Sequence, residues 1–153
     1  MSVVVSNLQD STEGIESLSQ AAVNAAQAVL VREERVNGVE VSVALVDDER
    51  IRELNRDYRG KDQPTDVLSF PMDEDDMDEA GVPTLLLGDV VISIPTAARQ
   101  ALEYGWPLET EVARLTVHGT LHLLGYDHEV DEVEGERMRR REEEILQGLG
   151  IEL

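Results

Sequence analysis

The sequence predicts an α/β (α+β) fold, with a mixed sheet of about four strands and about five helices in one layered domain. Two observations predict it. Some segments alternate apolar and polar residues, as strands do, whereas others repeat apolar residues at helical spacing. These segments follow in the order β α β α β β α α α, with no internal repeat and no Pro-rich or Gly/Ser-rich linker. We therefore expect residues 1–153 to form a single domain.

The N-terminal part is predicted to contain two strands around a helix. Residues 2–5 form a short strand. Asp10 or Ser11 can cap a helix whose apolar residues follow helical spacing from Ile15 to Leu30, and Asn37-Gly38 ends it as a turn. Alternation of apolar residues over 39–45 then predicts the second strand.

The middle of the chain is predicted to add a helix, two strands and an acidic loop. Asp47 and Asp48 open a short helix, and residues 67–70 form a strand that Pro71 stops. The segment Asp73–Glu79 carries six acids around a methionine, which predicts a mobile loop because it can bury little. The apolar run 85–92 is typical of an inner strand.

The C-terminal part is predicted to be helical. Ser93 caps a helix that runs to about Tyr104. A second helix starts at Pro107 and is stopped by Gly125, and a third covers about 131–149.

Composition excludes several classes of site and partner. Cysteine is absent, so disulfides, thiolate metal sites and cysteine nucleophiles are excluded. The chain has 33 acidic and 13 basic residues, and the net charge of −20 disfavours nonspecific binding to DNA, RNA or anionic membranes. We find no signal peptide and no apolar run long enough to cross a bilayer, so a cytoplasmic protein is expected.

The three histidines of the chain lie together in the run HGTLHLLGYDH. His118 and His122 are four residues apart, so both imidazoles leave the same face of the predicted helix. Gly125 permits a sharp turn that can return His128 to the pair. Three imidazole nitrogens that converge in this way can bind one Zn²⁺ and leave its fourth position open.

The same spacing of three histidines and a glycine occurs in the metzincin pattern HExxHxxGxxH. Gly119 stands where that pattern has its glutamate base, which argues against peptide hydrolysis. A glycine inside a helix suggests a close backbone approach, either to the sheet or to a bulky substrate. Phosphodiester cleavage instead needs a polarised phosphoryl group and positive charge.

Three motifs resemble those of the YbeY family of bacterial endoribonucleases. They are the histidine run, the stretch from Leu54-Asn55 through YRGKD to PTDVLSFP, and LGDV at 87–90. The resemblance covers most of residues 40–130. It implies a four-stranded α/β fold and a zinc-dependent, single-strand-specific endoribonuclease that acts in 16S rRNA 3′-end maturation and ribosome quality control. Implied partners are single-stranded rRNA, the ribosome or ribosomal proteins, and a ribosome-associated GTPase.

The resemblance also assigns site residues. His118, His122 and His128 match the metal ligands, with one Zn²⁺ per chain, and Arg59 matches the functional arginine of the family. A guanidinium in this position can bind phosphate in bidentate fashion.

Several alternatives remain open from the residues alone. Asp66 and Ser69 either face the site or serve as a turn cap and a polar strand face. Asp127 either orients an imidazole or belongs to a turn. At the level of function, the alternatives are a zincin-like metallopeptidase and a non-catalytic ribosome-assembly module with a structural metal.

Overall fold

The computed structural model describes residues 1–77 and 80–153. Within these residues, the strands and helices follow in the predicted order: β1 (Ser2–Asn7), α1 (Ile15–Arg32), β2 (Val39–Val46), α2 (Asp48–Arg59), β3 (Val67–Met77), β4 (Pro83–Ser93), α3 (Ile94–Tyr104), α4 (Leu108–Leu123) and α5 (Glu132–Gly148). The prediction of an α+β fold with four strands and five helices is confirmed.

The sheet is mixed, and its strands lie in the order β1-β2-β4-β3. Strands β1, β2 and β4 run parallel, whereas β3 pairs with β4 in the antiparallel direction. The alternating apolar side chains of β2 pack with residues of α1 and α4 on one face of the sheet. On the other face, Ile51 of α2 packs with Leu68 and Val91. The sheet is therefore a layer between helices.

Helix α4 is the central helix of the fold. Its residues contribute to the cluster on the sheet and to a second cluster with α1 and α5. A Cβ atom at Gly119 would lie 2.6 Å from Cγ1 of Val90 and 3.1 Å from Oγ of Ser69. Gly119 therefore lets α4 approach the sheet closely, which decides between the two explanations that the sequence left open for this glycine.

Substitution of Gly119 by alanine is expected to lower the free energy of unfolding by about 1–3 kcal/mol. Val90 is fully buried, so the new methyl group cannot be accommodated without moving the strand or the helix. Denaturant titration measures the change. The matched control is Gly148→Ala, also in a helix but with open space around it; it should raise stability by about 0.4–1 kcal/mol. Equal effects of the two substitutions would contradict the packing argument.

The predicted start of α1 is wrong. The helix begins at Ile15 and its N-cap is Gly14, with no capping hydrogen bond from a side chain. Ser11 does not cap this helix because its hydroxyl accepts the backbone N–H of Glu13 at 3.2 Å, in a separate turn before the helix. Asp10 lies before the same turn and does not cap the helix either.

The predicted end of β3 and the acidic loop are also wrong. Strand β3 passes Pro71 through a bulge and continues to Met77, opposite Pro83. Proline is tolerated there because β3 is an edge strand. Glu74 and Asp75 are exposed, so backbone pairing in this part of β3 buries neither carboxylate. Charged side chains on an edge strand also oppose its pairing with strands of other chains. Residues 78 and 79 of the predicted loop lie outside the described residues.

A buried ion pair holds the N-terminal half of α4. Glu111 has no exposed surface and accepts hydrogen bonds from Arg114 at 2.7 and 2.9 Å, from Gln100 at 2.6 Å and from Trp106 at 3.2 Å. Burial alone would raise the pKa of the Glu111 carboxyl, but these hydrogen bonds and the charge of Arg114 outweigh it and lower the pKa.

A carboxyl whose pKa is lowered by folding stabilises the fold above its unfolded pKa, and that contribution is lost as pH falls through the folded value. We therefore expect the free energy of unfolding to fall more steeply on acidification in the wild type than in Glu111→Gln. At pH 7 the variant should be less stable by about 1–3 kcal/mol, because Arg114 loses its charged partner. Thermal unfolding between pH 7 and pH 3 measures both effects, and parallel pH profiles would contradict the assignment.

None of the helices within residues 1–77 and 80–153 is long and apolar enough to cross a lipid bilayer.

Candidate metal centre

Three imidazoles converge at the end of α4. Nε2 of His118 and Nε2 of His122 are 3.2 Å apart, and Nδ1 of His128 lies 3.2 Å from the same nitrogen of His122. One ligand atom from each histidine lies within 4.8 Å of the others. The structure therefore brings together the three histidines that the sequence singled out.

Local structure explains this convergence. His118 and His122 project from the same face of α4, one turn apart. After the helix ends at Leu123, Gly125 adopts a φ of +100°, which side chains disfavour, and the chain turns back. This turn brings His128 against the pair.

Two of the three nitrogen–nitrogen separations in the cluster fit a tetrahedral metal ion. Zn²⁺–nitrogen bonds of about 2.0–2.1 Å place two tetrahedral ligands about 3.3 Å from each other. The two nitrogen–nitrogen distances of 3.2 Å match this edge. Burial lowers the pKa of His122, and the neighbouring His118 and His128 lower it further. A neutral imidazole at pH 7 has the free lone pair that a metal ion requires.

Arg59 lies in the same cleft as the histidines. The cleft has a volume of about 680 Å³ and is open to solvent, and its lining includes Arg59, Ser69 and the three histidines. Arg59 is the last residue of α2 and is partly exposed, and its guanidinium lies 3.9 Å from the carboxylate of Glu129. The cleft thus combines a candidate metal site with a partly exposed guanidinium group.

Asn55 helps to fix the loop that follows Arg59. Its side chain is buried and donates from Nδ2 to the carbonyl of Gln63 at 2.9 Å. The backbone carbonyl of Asn55 accepts the N–H of Lys61 at 3.3 Å. These bonds tie the end of α2 to the segment that leads into β3. Asn55 is part of a sequence motif, but its spacing alone predicted no role for it.

Asp66, Ser69 and Asp127, whose roles the sequence left open, combine a place in the cleft with a structural hydrogen bond. Asp66 and Ser69 both line the cleft, but each also has a structural partner. Oδ1 of Asp66 accepts the N–H of Val67 at 2.7 Å, and the Ser69 hydroxyl donates to the carbonyl of Gly119 at 2.9 Å. Asp127 also lines the cleft, and its carboxylate accepts the N–H of Glu129 at 2.8 Å, as in a turn.

One contact of the histidine cluster was not predicted. Oε1 of Glu142, on α5, lies 2.5 Å from Nδ1 of His118. Sequence reasoning could not find it, because Glu142 is one of several glutamates in the helix and nothing local distinguishes it.

The fold and the cleft define an α+β protein with a three-histidine site that can hold a metal ion. A family model described as Endoribonuclease YbeY matches residues 5–150. The chain belongs to the YbeY endoribonuclease family.

Individual relatives agree over nearly the whole chain. An Endoribonuclease YbeY of Pelotomaculum thermopropionicum is 52% identical over 151 residues, which cover 99% of each chain. One of Carboxydothermus hydrogenoformans is 52% identical over 148 residues, covering 97% of each. Among solved structures, the solution structure of TM1509 from Thermotoga maritima matches with a TM-score of 0.56 and 28% identity, over 96% of this chain and 91% of that one.

Proposed function

We propose that this chain is a metal-dependent, single-strand-specific endoribonuclease that binds one Zn²⁺ through His118, His122 and His128. The observation that carries the proposal is the meeting of three imidazole nitrogens and Arg59 in one open cleft. Family membership supports RNA as the substrate.

The residues of the cleft would have different roles in phosphodiester hydrolysis. Zinc, when bound, supplies a Lewis acid for a phosphoryl oxygen and lowers the pKa of water. The three imidazoles hold it through their neutral nitrogens. Arg59 offers paired N–H donors to the non-bridging phosphate oxygens, which orients the phosphate and offsets the negative charge that develops during cleavage.

The geometry of α4 disfavours the metallopeptidase alternative. A metzincin-like protease needs a glutamate directly after the first histidine. At this position the space that a Cβ would occupy is filled by Val90 and Ser69 of the sheet. Residue 119 faces the sheet and cannot supply a base to the cleft.

The test of the function is cleavage of single-stranded RNA and of a 16S rRNA precursor by the purified protein. We expect cleavage with zinc, loss of cleavage after chelation, and recovery when zinc is returned. Duplex RNA of the same sequence is the control substrate and should resist. A protein that carries zinc but cleaves no RNA, and still supports rRNA maturation, would indicate the non-catalytic assembly module instead.

We further propose that the protein acts in the cytoplasm, in 16S rRNA 3′-end maturation and ribosome quality control. Support comes from the family resemblance and from the charge of the chain. At net −20, the protein should be repelled by naked nucleic acid, so efficient action on rRNA needs a docking partner such as the ribosome, a ribosomal protein or a ribosome-associated GTPase.

Affinity for generic single-stranded RNA is therefore expected to be weak at physiological salt. The attraction of Arg59 and a bound metal acts only within a Debye length of about 8 Å at 0.15 M ionic strength. Fluorescence anisotropy with an unstructured oligonucleotide measures the affinity. Submicromolar binding at 0.15 M salt would contradict the expectation.

The acidic segment Asp73–Glu79 is the proposed contact for a basic partner. Substituting its six acids by Asn and Gln should weaken co-sedimentation with ribosomal subunits if the segment docks. An unchanged association would assign docking to another surface.

A further inference from the structure

We propose that Glu142 is a positioning residue of the metal centre: its carboxylate accepts the Nδ1–H of His118 and thereby turns the Nε2 lone pair of that imidazole toward the other two histidines. This inference rests on the proposed function in one respect only, namely that the histidine cluster holds a metal ion.

The contact joins two elements that are distant in sequence. Oε1 of Glu142 on α5 lies 2.5 Å from Nδ1 of His118 on α4, and the two side chains are only 19% and 25% exposed. A hydrogen bond to an ionised carboxylate is shorter and about twice as strong as one between neutral groups. The separation is even shorter than the 2.7–2.9 Å that is usual, to about 0.1 Å, for a charged N–H···O pair, so the two side chains are in direct contact.

The tautomer of His118 follows from this bond. A neutral imidazole carries one N–H, and the other nitrogen keeps its lone pair. When Nδ1 carries the proton and donates it to Glu142, Nε2 is left as the acceptor. Nε2 is also the atom that lies 3.2 Å from Nε2 of His122. Glu142 therefore prepares His118 as a ligand before any metal binds.

The other two imidazoles have weaker outer partners. His122 has a hydrogen bond with the backbone of Tyr126, and not with a carboxylate. The outer nitrogen of His128 lies 3.8 Å from Glu129, beyond hydrogen-bond distance. Within the described residues, His118 is thus the histidine of the cluster that has a carboxylate in direct contact.

Glu142 lies on a packed helix, α5, rather than on a loop. Met138 and Ile145, one turn before and one turn after it, are buried against Val117 and Leu121 of α4. The position of the carboxylate is therefore set by the same packing that places His118. Glu143, the next residue, is exposed on the solvent side of α5.

Carboxylates that hold metal-ligating histidines typically contribute 10–100-fold to metal affinity. We expect Glu142→Ala to weaken Zn²⁺ binding by 10–100-fold. Glu142→Gln should lose less, because its amide oxygen can still accept the Nδ1–H. The matched control is Glu143→Gln, which changes the charge of the same helix and should bind zinc like the wild type.

The first experiment measures the dissociation constant of Zn²⁺ for the full chain by competition with a chromophoric chelator. A loss in Glu142→Ala, partial rescue in Glu142→Gln and no loss in Glu143→Gln support the role. Wild-type affinity in Glu142→Ala, or an equal loss in Glu143→Gln, would overturn it.

The second experiment needs neither metal nor activity. Long-range ¹H–¹⁵N spectra of the metal-free protein, above the titration range of the imidazoles, report which nitrogen of His118 carries the proton. We expect Nδ1–H in the wild type and in Glu143→Gln, and a shift toward Nε2–H in Glu142→Ala. An Nε2–H tautomer in the wild type would overturn the proposal.

The two experiments also separate this proposal from the proposed function. A protein that binds zinc in the expected order of variants but cleaves no RNA would retain the role of Glu142 and lose the nuclease assignment. Thermal unfolding of the metal-free variants shows whether Glu142→Ala remains folded. If it does not, the near-isosteric Glu142→Gln decides, since its tautomer and affinity are measured in the same way.

Discussion

Replacement of His118, His122 or His128 by alanine is expected to remove the metal and to reduce RNA cleavage by roughly a thousandfold or more. Two remaining imidazoles cannot hold the ion as three do. Loss of a Lewis acid removes several kcal/mol of transition-state stabilisation, and about 4 kcal/mol corresponds to a thousandfold in rate. Elemental analysis gives the metal content per chain, and a single-stranded RNA assay gives the rate.

The control for these variants is the wild type stripped of metal with a chelator. Circular dichroism should show the same fold in the stripped protein and in each variant, and zinc should restore activity to the stripped wild type alone. A His122→Ala protein that keeps one equivalent of metal would contradict the proposed ligand set. A folded, metal-free variant that still processes rRNA would support the assembly-module alternative.

Substitution of Arg59 by alanine is expected to reduce RNA cleavage by about 100–1,000-fold while leaving metal content and stability unchanged. The magnitude is that of removing one preorganised donor from a developing negative charge. Arg59→Lys should recover only part of the rate, because an ammonium supplies a point charge without the planar fork of the guanidinium. Steady-state cleavage assays with saturating zinc measure the effect.

Arg56 provides the matched control for Arg59. It lies on the same helix with similar exposure, but it pairs with Asp57 and does not line the cleft. Arg56→Ala should therefore cleave RNA at the wild-type rate. Loss of metal from Arg59→Ala would show that Arg59 has a structural role and that its assignment to phosphate is wrong.

Most of the fold could be predicted because its elements have local signals. The valines of β2 alternate with other residues, and the apolar residues of α1 and α4 recur at helical spacing. Each pattern arises because one face of the element is buried, so it can be seen in the sequence without knowing the partner. The predicted element ends are wrong where one residue could serve two local structures, or where pairing between strands sets the end of a strand. Ser11 can cap a helix, but its hydroxyl closes an earlier turn instead. Pro71 can end a strand, yet pairing with β4 carries β3 to Met77.

The sequence by itself determined the three-histidine site, because every step in it is local. Helical spacing places His118 and His122 on one face, and a glycine turn returns His128 within a few residues. The structure confirms that these imidazoles come together in a group that can hold a metal ion.

Only the tertiary structure decided what surrounds that site. The entry of Arg59 into the cleft and the contact of Glu142 with His118 depend on how α2 and α5 pack against the rest of the fold. The same is true of Gly119: a glycine is needed there because Val90 of the sheet fills the space that a Cβ atom would occupy. Such contacts join residues that are far apart in the chain. The residues next to a glutamate or arginine in the sequence do not indicate which distant side chain it will contact.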